Sequence, residues 1–383
     1  MTRVSRRLTP MTAELAAAEP HEAQVVTCFA TRGSGHRDEQ RIRELLTAVR
    51  PAVWPFDRTR KAASLVRLLR RARREQPSLI VMEGTGVSGG VAVLLAWLIW
   101  RVPYVVSSGD AIAPFVRARA PRLAWLAAAY ERTLCRWCAG FIGWTPYLAG
   151  RALTFGAPRA MTAPNWAPAA TEEPSREEAR DRLSIPQDAL VFGLIGSLEW
   201  NPRLNYCYGV ELVKAEAIAT RRDLYVLIVG DGDGRERLAE LAGERFGRSV
   251  FLPGAVKRDE VPDQLAAMDV ASLPQSTDAV GAFRYTTKIS EYLASGLPVV
   301  TGRLPFAYDL DGGWLWRLPG AAPWDEPYIR ALGYLMASLD ATELAAKRAA
   351  VPRASPIFDR NRQIRAVSAF IEEILSDHSR RRV

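Results

Sequence analysis

The segment 284–291 places two cations and a carboxylate at the start of a predicted helix. Arg284 and Lys288 are one helical turn apart, and helix N-terminal amides together with fixed positive charges favour a compact anion such as a diphosphate. Hydroxyls and backbone donors lie between the two cations, on Tyr285, Thr286 and Thr287. Glu291 follows Lys288 by three residues on the same helical side, where a carboxylate can accept two hydrogen bonds from ribose hydroxyls. An intrahelical Lys288–Glu291 ion pair fits the same spacing.

Glycine-containing turns follow several predicted strands, and glycine lets a backbone turn tightly and approach a ligand. The glycines that we predict to contact a ligand are Gly33, Gly35, Gly196, Gly230 and Gly232. For residues 230–234, a plain strand-to-helix turn remains an alternative. Arg203 belongs to the loop that begins at Gly196, and its guanidinium could pair with a phosphate through two donors.

Two further side chains at predicted strand ends could act on a reacting group. His36 lies in the Gly-rich turn after the first strand, where an imidazole serves as hydrogen-bond donor or as base, although a lone histidine in a loop more often has no function. Asp110 ends a Ser-Ser-Gly-Asp sequence after another strand and places a carboxylate at the strand terminus.

The elements that must position these residues are apolar, β-branched runs separated by helical stretches. The runs cover residues 24–30, 79–82, 103–107, 140–144, 190–195, 224–229, 250–252, 270–273 and 298–301. Because the runs are apolar throughout, they predict strands that are covered on both faces. Their alternation with helices predicts an α/β fold of parallel sheets. Ligands of such sheets lie outside the carboxyl ends of the strands, where the residues above are found.

A Pro-rich stretch at residues 163–174 divides the chain into two α/β halves that face one another across a cleft. The predicted organisation is a flexible tail (1–20), an N-terminal Rossmann-like domain (21–165), a linker (166–185), a C-terminal Rossmann-like domain (186–355), and a C-terminal helix with a basic tail (356–383).

The stretch 190–310 resembles the donor half of retaining GT-B glycosyltransferases, particularly glycosyltransferase family 4. The resemblance rests on the Gly196 loop and on four further motifs in the expected order, at residues 229–232, 250–256, 268–270 and 288–300. It implies that the C-terminal domain binds a nucleotide sugar and that the N-terminal domain binds the acceptor. Glu291 would then hold the ribose, Val256 and Lys257 the base, and the start of the Lys288 helix the diphosphate.

The same resemblance implies a transfer that retains the anomeric configuration. Asp110 matches Asp-containing motifs of related transferases and would orient the acceptor or stabilise an oxocarbenium-like centre. His36 and Gly33–Gly35 would contact donor phosphates or acceptor, and Arg203, Arg284 and Lys288 would neutralise the leaving diphosphate. No Asp-x-Asp metal motif is evident, so we predict neither a metal nor a cofactor beyond the nucleotide-sugar co-substrate.

The sequence departs from the family pattern at three positions. Phe283 stands where the family often has Glu, Ser197 where it has Arg, and Tyr208 where it has Lys. These departures leave open a nucleotide-sugar-binding protein on the same fold that has lost transfer.

The net charge of +9 leaves three kinds of partner open, namely nucleic acid, an anionic membrane and a phosphate-rich ligand. The arginines are scattered rather than gathered in one module, which makes a nucleic-acid-binding protein the weaker alternative. A helical wheel groups Arg67, Arg70, Arg71 and Arg74 on one face. This basic face is either a solvated exterior or a peripheral contact with an anionic membrane.

Cysteine usage and hydropathy indicate the compartment. Four dispersed cysteines do not form a disulfide scaffold, which predicts a cytoplasmic protein, with or without attachment at the inner membrane face. Cys135 and Cys138 have CxxC spacing without a second pair, and we interpret them as part of a helix. Residues 87–106 are apolar but interrupted, which predicts a buried helix and strand rather than a membrane span.

Overall fold

The computed structural model describes residues 25–167 and 174–382, and the first of its two sheets lies in the N-terminal half. This sheet is parallel throughout and has the order β2-β1-β3-β4-β5-β6. Its strands are β1 (Val26–Ala30), β2 (Ala52–Val53), β3 (Leu79–Glu83), β4 (Tyr104–Ser108), β5 (Gly140–Gly143) and β6 (Ala160–Thr162). The helices between them are α1 (Arg37–Leu45), α2 (Lys61–Glu75), α3 (Val87–Trp100), α4 (Ile112–Arg119), α5 (Ala124–Arg136) and α6 (Pro146–Thr154).

The second sheet is also parallel and has the order β12-β11-β10-β7-β8-β9. Its strands are β7 (Leu190–Ile195), β8 (Leu224–Val229), β9 (Val250–Gly254), β10 (Val270–Leu273), β11 (Val299–Gly302) and β12 (Leu315–Leu318). Helix α7 (Arg176–Leu183) precedes this sheet, and α8 (Val210–Ile218), α9 (Arg235–Ala242), α10 (Val261–Ala266), α11 (Thr287–Ala294), α12 (Phe306–Asp309), α13 (Glu326–Ser338), α14 (Ala341–Ala349) and α15 (Arg360–Arg382) follow in chain order.

The predicted fold of two parallel Rossmann-like sheets is confirmed, and each of the nine predicted runs overlaps a strand. Gln24 and the predicted tail (1–20) lie outside the described residues, as does part of the predicted linker. Three strands were not predicted, β2, β6 and β12. They are short, and β6 and β12 carry exposed or half-buried side chains, so they lack the continuous apolar run of the central strands.

Both faces of the second sheet are covered, as its apolar strands predict. Phe192 and Leu194 in β7 point to a cluster that includes α8 and α13, whereas Val191 points to the opposite cluster, which includes α11. Successive side chains of a strand leave opposite faces, so a run buried on both sides is apolar at every position. Each fully buried large aliphatic side chain contributes roughly 1.5–3 kcal/mol.

Helix α15 returns from the second half of the chain and packs on the first sheet. Val367 and Ile371 are fully buried in the same cluster as Val26 and Cys28 of β1. Arg159 also binds Glu373 of α15 through an ion pair of 2.8 Å. The C-terminal helix therefore completes the hydrophobic core of the N-terminal domain.

The apolar stretch 87–106 forms α3 and most of β4, so its division into helix and strand is confirmed. The helix is buried on one side only, because Leu98 and Ile99 are 50% and 58% exposed. Within the described ranges, no helix combines the length and apolarity needed to cross a membrane.

Candidate functional site

The predicted site residues gather at the carboxyl ends of the two sheets, where strand order reverses. In the first sheet, the reversal falls between β1 and β3, because the chain continues from β1 to β2 on one side and from β3 to β4 on the other. The turn after β1 carries Arg32 and His36. In the second sheet, the reversal falls between β7 and β10, beside the loop of Gly196. Crevices at such reversals are the usual ligand sites of open parallel sheets.

Lys288 lies in the first turn of α11 and reaches the loop after β7. A Cβ atom added to Gly196 would lie 2.4 Å from Lys288 Nζ, so the ammonium group rests directly against this glycine. Lys288 Nζ also lies 4.2 Å from the centroid of the Tyr208 ring. Burial lowers the pKa of Lys288 to about 8, while Glu291 and Glu211 act in the opposite direction. The site thus holds a half-buried cation with no side chain between it and the loop.

The N-terminus of α11 has no side-chain cap. Thr286 occupies the N-cap position without capping the helix, and its Oγ1 is buried with no partner among the described residues. The first amides of a helix have no intrahelical acceptors. An anion placed beside Lys288 would satisfy this end of the helix, which fits the predicted diphosphate position.

Glu291 lies one turn further along α11, half-buried, and it interacts electrostatically with both halves of the chain. Burial raises the pKa of its carboxyl, whereas Arg37 in the first domain and Lys288 and Arg258 in the second act against this shift. Arg37 is the first residue of α1 and was not predicted as a site residue. The first helix of the N-terminal domain therefore adds a cation to the electrostatic surroundings of the predicted ribose carboxylate.

Asp110 joins the two domains across the cleft. Arg284 Nε donates to Asp110 Oδ1 at 2.6 Å, and Arg32 contacts Asp110 Oδ2 at 3.5 Å. Two further contacts cross near this point, from the Thr145 hydroxyl to the Phe283 carbonyl at 2.8 Å and from the Tyr147 hydroxyl to Asp309. The structure therefore pairs one predicted phosphate cation with the predicted catalytic carboxylate, and it leaves Lys288 as the unpaired cation of the two.

The predicted ligand-contacting glycines lie at the cleft, but their amides are already satisfied. Gly35 N donates to Glu39 Oε2 and Gly33 N to the Ala30 carbonyl. Gly196 N, Gly230 N and Gly232 N likewise donate to protein oxygens. Gly230 has φ +144°, and a Cβ there would lie 1.8 Å from the Gly196 carbonyl oxygen. Close packing of two loops thus explains the glycine at position 230.

The remaining predicted residues have mixed positions. His36 is the N-cap of α1, where Nδ1 accepts from Asp38 N at 3.2 Å. Arg203 is exposed on the turn after β7, where its amide donates to the Asn201 side chain. Tyr285 is buried in the core and makes an edge contact with Tyr147 of the other domain. Val256 and Lys257 follow β9, and Lys257 N donates to Glu260.

Two of the three departures from the family pattern have structural roles. The Tyr208 ring lies under the Lys288 ammonium, and the Tyr208 hydroxyl accepts from Gln275 Nε2 at 2.9 Å. Phe283 packs against the core of the first domain, with the Arg151 guanidinium carbon 5.4 Å from its ring centroid. Tyr208 therefore supports the cation, and Phe283 belongs to the contact between the domains.

A fully buried carboxylate, which the sequence analysis missed, lies behind Lys288. Glu211 accepts from the Tyr206 hydroxyl at 2.9 Å and from Gly209 N at 3.1 Å. Burial raises the pKa of Glu211 to about 7. Its position in an apolar helix gave no sequence signal, because only the tertiary fold brings it near Lys288.

Each half of the chain matches a known protein family. The family described as Glycosyl transferase 4-like domain matches residues 4–166, and the one described as Glycosyl transferases group 1 matches residues 189–320. Together the two matches cover most of the chain, in the order of the two sheets. The chain belongs to the GT-B glycosyltransferases. No curated protein sequence matches this glycosyltransferase.

Several solved structures share the fold of this glycosyltransferase. HepE from Anabaena in complex with UDP has a TM-score of 0.65 at 16% identity, over 92% of this chain and 100% of HepE. Sucrose-phosphate synthase from Thermosynechococcus elongatus has a TM-score of 0.63 at 15% identity, over 93% and 98% of the two chains. S. aureus MnaA with UDP has a TM-score of 0.56 at 11% identity, over 91% and 96%. At these identities, the likeness confirms the GT-B fold.

The described part of this glycosyltransferase contains no group of three His, Cys, Asp or Glu side chains that could hold a metal ion. Metal independence stays a prediction. The four cysteines are free and buried, and Cys138 Sγ lies 3.0 Å from the Cys135 carbonyl oxygen at the end of α5. The CxxC spacing thus belongs to a helix terminus, close to the predicted interpretation.

Proposed function

We propose that this glycosyltransferase transfers a hexose from a UDP- or GDP-sugar to a glycan, a lipid-linked saccharide or a small molecule, with retention of anomeric configuration as in family 4. The observation that carries the proposal is Lys288 at the uncapped start of α11, against Gly196 and one helical turn after Arg284, which pairs with Asp110. HepE and MnaA each hold UDP on the same fold, which supports a uridine nucleotide as the first donor to test.

The reaction separates charge, and the proposed site stabilises the charges that develop. Cleavage of the anomeric C–O bond leaves negative charge on the diphosphate and positive charge on the sugar ring. Lys288 and the free amides of α11 would stabilise the diphosphate, and Arg284 would join them once it leaves Asp110. Arg203 would approach the phosphates only if its exposed turn moved. Fixed cations in this arrangement would serve without a metal ion.

The sugar and acceptor would lie between Lys288 and Asp110. The Asp110 carboxylate would orient the acceptor hydroxyl or stabilise the oxocarbenium-like centre, and the leaving phosphate would remove the acceptor proton in a front-face reaction. His36 Nδ1 is engaged with the first turn of α1, so Nε2 is the atom that would contact phosphate or acceptor.

Ribose binding provides the first test. A thermal-shift screen against UDP, GDP, ADP and TDP should identify one stabilising nucleotide, because a ligand stabilises the fold by its binding free energy. For that nucleotide, Glu291→Gln should weaken binding about 10- to 100-fold, since hydrogen bonds to a charged acceptor contribute about 1.5–3 kcal/mol. Isothermal titration calorimetry measures the change.

The 2′,3′-dideoxy nucleotide supplies the matched control. The wild type should bind it about as weakly as Glu291→Gln binds the full nucleotide, and the variant should not distinguish the two ligands. If the variant and the wild type preferred the full nucleotide over the dideoxy nucleotide by the same factor, Glu291 would not bind the ribose.

Gly196 provides a second test that separates binding from folding. Gly196→Ala should displace the Lys288 ammonium, because the new Cβ would lie 2.4 Å from Nζ and 2.9 Å from Cε. The displaced atoms end a flexible side chain, so the free energy of unfolding should change by less than about 1 kcal/mol. Nucleotide affinity should fall at least about tenfold.

Gly150→Ala is the matched control, because a Cβ at that position in α6 meets nothing within 4 Å. It should leave nucleotide binding unchanged and raise the free energy of unfolding by about 0.5–1 kcal/mol, because alanine replaces glycine within a helix. If Gly196→Ala bound the nucleotide as the wild type does, Lys288 would not be the diphosphate cation.

A non-catalytic nucleotide-sugar-binding protein is the second candidate, favoured by Phe283, whose packing against the first domain replaces the usual sugar-binding Glu. Release of free nucleoside diphosphate from each sugar nucleotide by the purified protein distinguishes the enzyme from the binding protein.

The nucleic-acid alternative predicts steeply salt-dependent duplex binding. The cytoplasmic location and a peripheral membrane contact remain proposals, and the basic face of α2 is one candidate surface for that contact. The basic face of α2 is largely exposed, although Arg71 and Arg74 pair with Glu75.

A further inference from the structure

A surface segment beside Asp110 combines exposed apolar side chains with arginines. We call residues 115–126 the α4–α5 segment, since they span the end of α4 and the start of α5. Leu123, Trp125 and Leu126 are 53%, 68% and 47% exposed, so three large apolar side chains project from one short stretch. Isolated exposed apolar residues are ordinary, whereas a contiguous group marks a surface that contacts something else.

The arginines of this segment are not neutralised by nearby carboxylates. Arg117, Arg119 and Arg122 are exposed, and none has an ion-pair partner among the described residues. The sequence contains no Asp or Glu between positions 111 and 130, and Glu131 is buried and bound to Arg151. The α4–α5 segment therefore carries uncompensated positive charge around an apolar centre.

We propose that the α4–α5 segment docks this glycosyltransferase on an anionic lipid bilayer. Tryptophan and leucine would enter the interfacial region, where an indole ring finds both apolar and polar neighbours, and the arginines would meet lipid phosphates. The segment begins five residues after Asp110, so a bilayer bound here lies next to the acceptor side of the cleft. This inference goes beyond the proposed transfer and does not depend on the nucleotide.

Charge favours a bilayer over a second copy of the chain. A two-fold interface would place the same surface of each copy against the other and bring the two sets of arginines together. Such like-charge contacts oppose association. The basic face of α2 is a weaker site, because part of its charge is paired with Glu75 and only Val66 is a large exposed apolar residue on that helix.

Co-sedimentation with vesicles tests the proposal. The full-length protein should pellet with vesicles of phosphatidylglycerol and phosphatidylcholine, and much less with phosphatidylcholine alone. Arg117→Gln/Arg119→Gln should lower partitioning about 25-fold, because each basic side chain near an anionic surface contributes about 1 kcal/mol, or about fivefold. Trp125→Ser/Leu126→Ser should lower it at least about tenfold.

Two control variants match these changes elsewhere on the same domain. Arg67→Gln/Arg70→Gln removes the same charge from α2, and Leu98→Ser/Ile99→Ser removes similar apolar surface from the end of α3. The end of α3 lies beside Trp137, which follows α5. It is therefore at the opposite end of α5 from Trp125, which lies at the start of that helix. Both controls should pellet within about twofold of the wild type. Loss of binding in a control but not in the α4–α5 variants would overturn the assignment.

A dye on Leu126→Cys gives an independent readout. All four native cysteines are buried, so an environment-sensitive thiol dye should label this position selectively. Its emission should shift to the blue on addition of anionic vesicles. No shift, equal recovery with both vesicle types, or a dimer that the α4–α5 variants dissociate in sedimentation velocity would each refute bilayer docking. Nucleotide thermal shifts measured on the same variants keep this result separate from the proposed function.

Discussion

Lys288→Ala should lower sugar transfer about 100- to 1000-fold, which is the usual cost of removing one preorganised group that stabilises developing negative charge. Lys288 has no ion-pair partner among the described residues, whereas Arg284 is bound to Asp110. Steady-state kinetics with the preferred sugar nucleotide measures the loss. The variant should also lose most of its thermal shift with the nucleotide. Retention of transfer within about threefold would mean that the diphosphate lies elsewhere.

The same lysine should set the alkaline limit of activity. Burial lowers the pKa of Lys288 to about 8, so the ammonium form is present below that pH and is lost above it. We expect kcat/KM, which reports the free enzyme, to fall as pH rises from about 7 to about 9.5. Lys288→Arg is the control, because a guanidinium stays protonated over this range and should give residual activity without the alkaline decline.

Asp110→Asn should lower kcat about 100-fold or more, since the carboxylate that would face the developing positive charge becomes neutral. The nucleotide should bind as tightly as to the wild type, or more tightly, because Arg284 and Arg32 lose an anionic partner across the cleft. Comparison of single-turnover rates with nucleotide titrations separates the two effects.

Arg284→Gln provides the matched variant for Asp110. If Asp110 serves only to hold the domains together, both substitutions remove the same ion pair and should change kcat and affinity alike. If Asp110 acts on the sugar or acceptor, Asp110→Asn lowers kcat and keeps nucleotide affinity, whereas Arg284→Gln lowers both, because it also removes a proposed diphosphate cation. If the two substitutions had identical effects, Asp110 would only hold the two domains together and would not act on the sugar or acceptor.

The sequence predicted the sheets because burial on both faces requires apolar residues at every position of a central strand. The run at 190–195 predicted β7 with correct ends. The same rule fails for β6, whose three residues are half-buried at the sheet edge, and for the two-residue β2. Short edge strands carry too little apolar sequence to be distinguished from loops.

The site was predicted unevenly for a physical reason. Lys288 and Glu291 are neighbours on one helix turn, so their spacing alone places them together. The glycine turns have the same sequence whether their amides meet phosphate or protein oxygens, and the structure has Gly35 N bound to Glu39. Pairs such as Asp110 with Arg284, 174 residues apart, follow only from the tertiary arrangement.

The return of α15 to the first sheet means that the N-terminal domain is discontinuous in sequence. Its core needs Val367 and Ile371, so residues 25–167 alone lack part of their own interior. A hybrid protein that exchanges the N-terminal domain between relatives would therefore have to transplant α15 together with the N-terminal sheet. The polypeptide also passes between the domains twice, once before and once after the C-terminal sheet in the sequence, so any opening of the cleft involves two peptide connections rather than one.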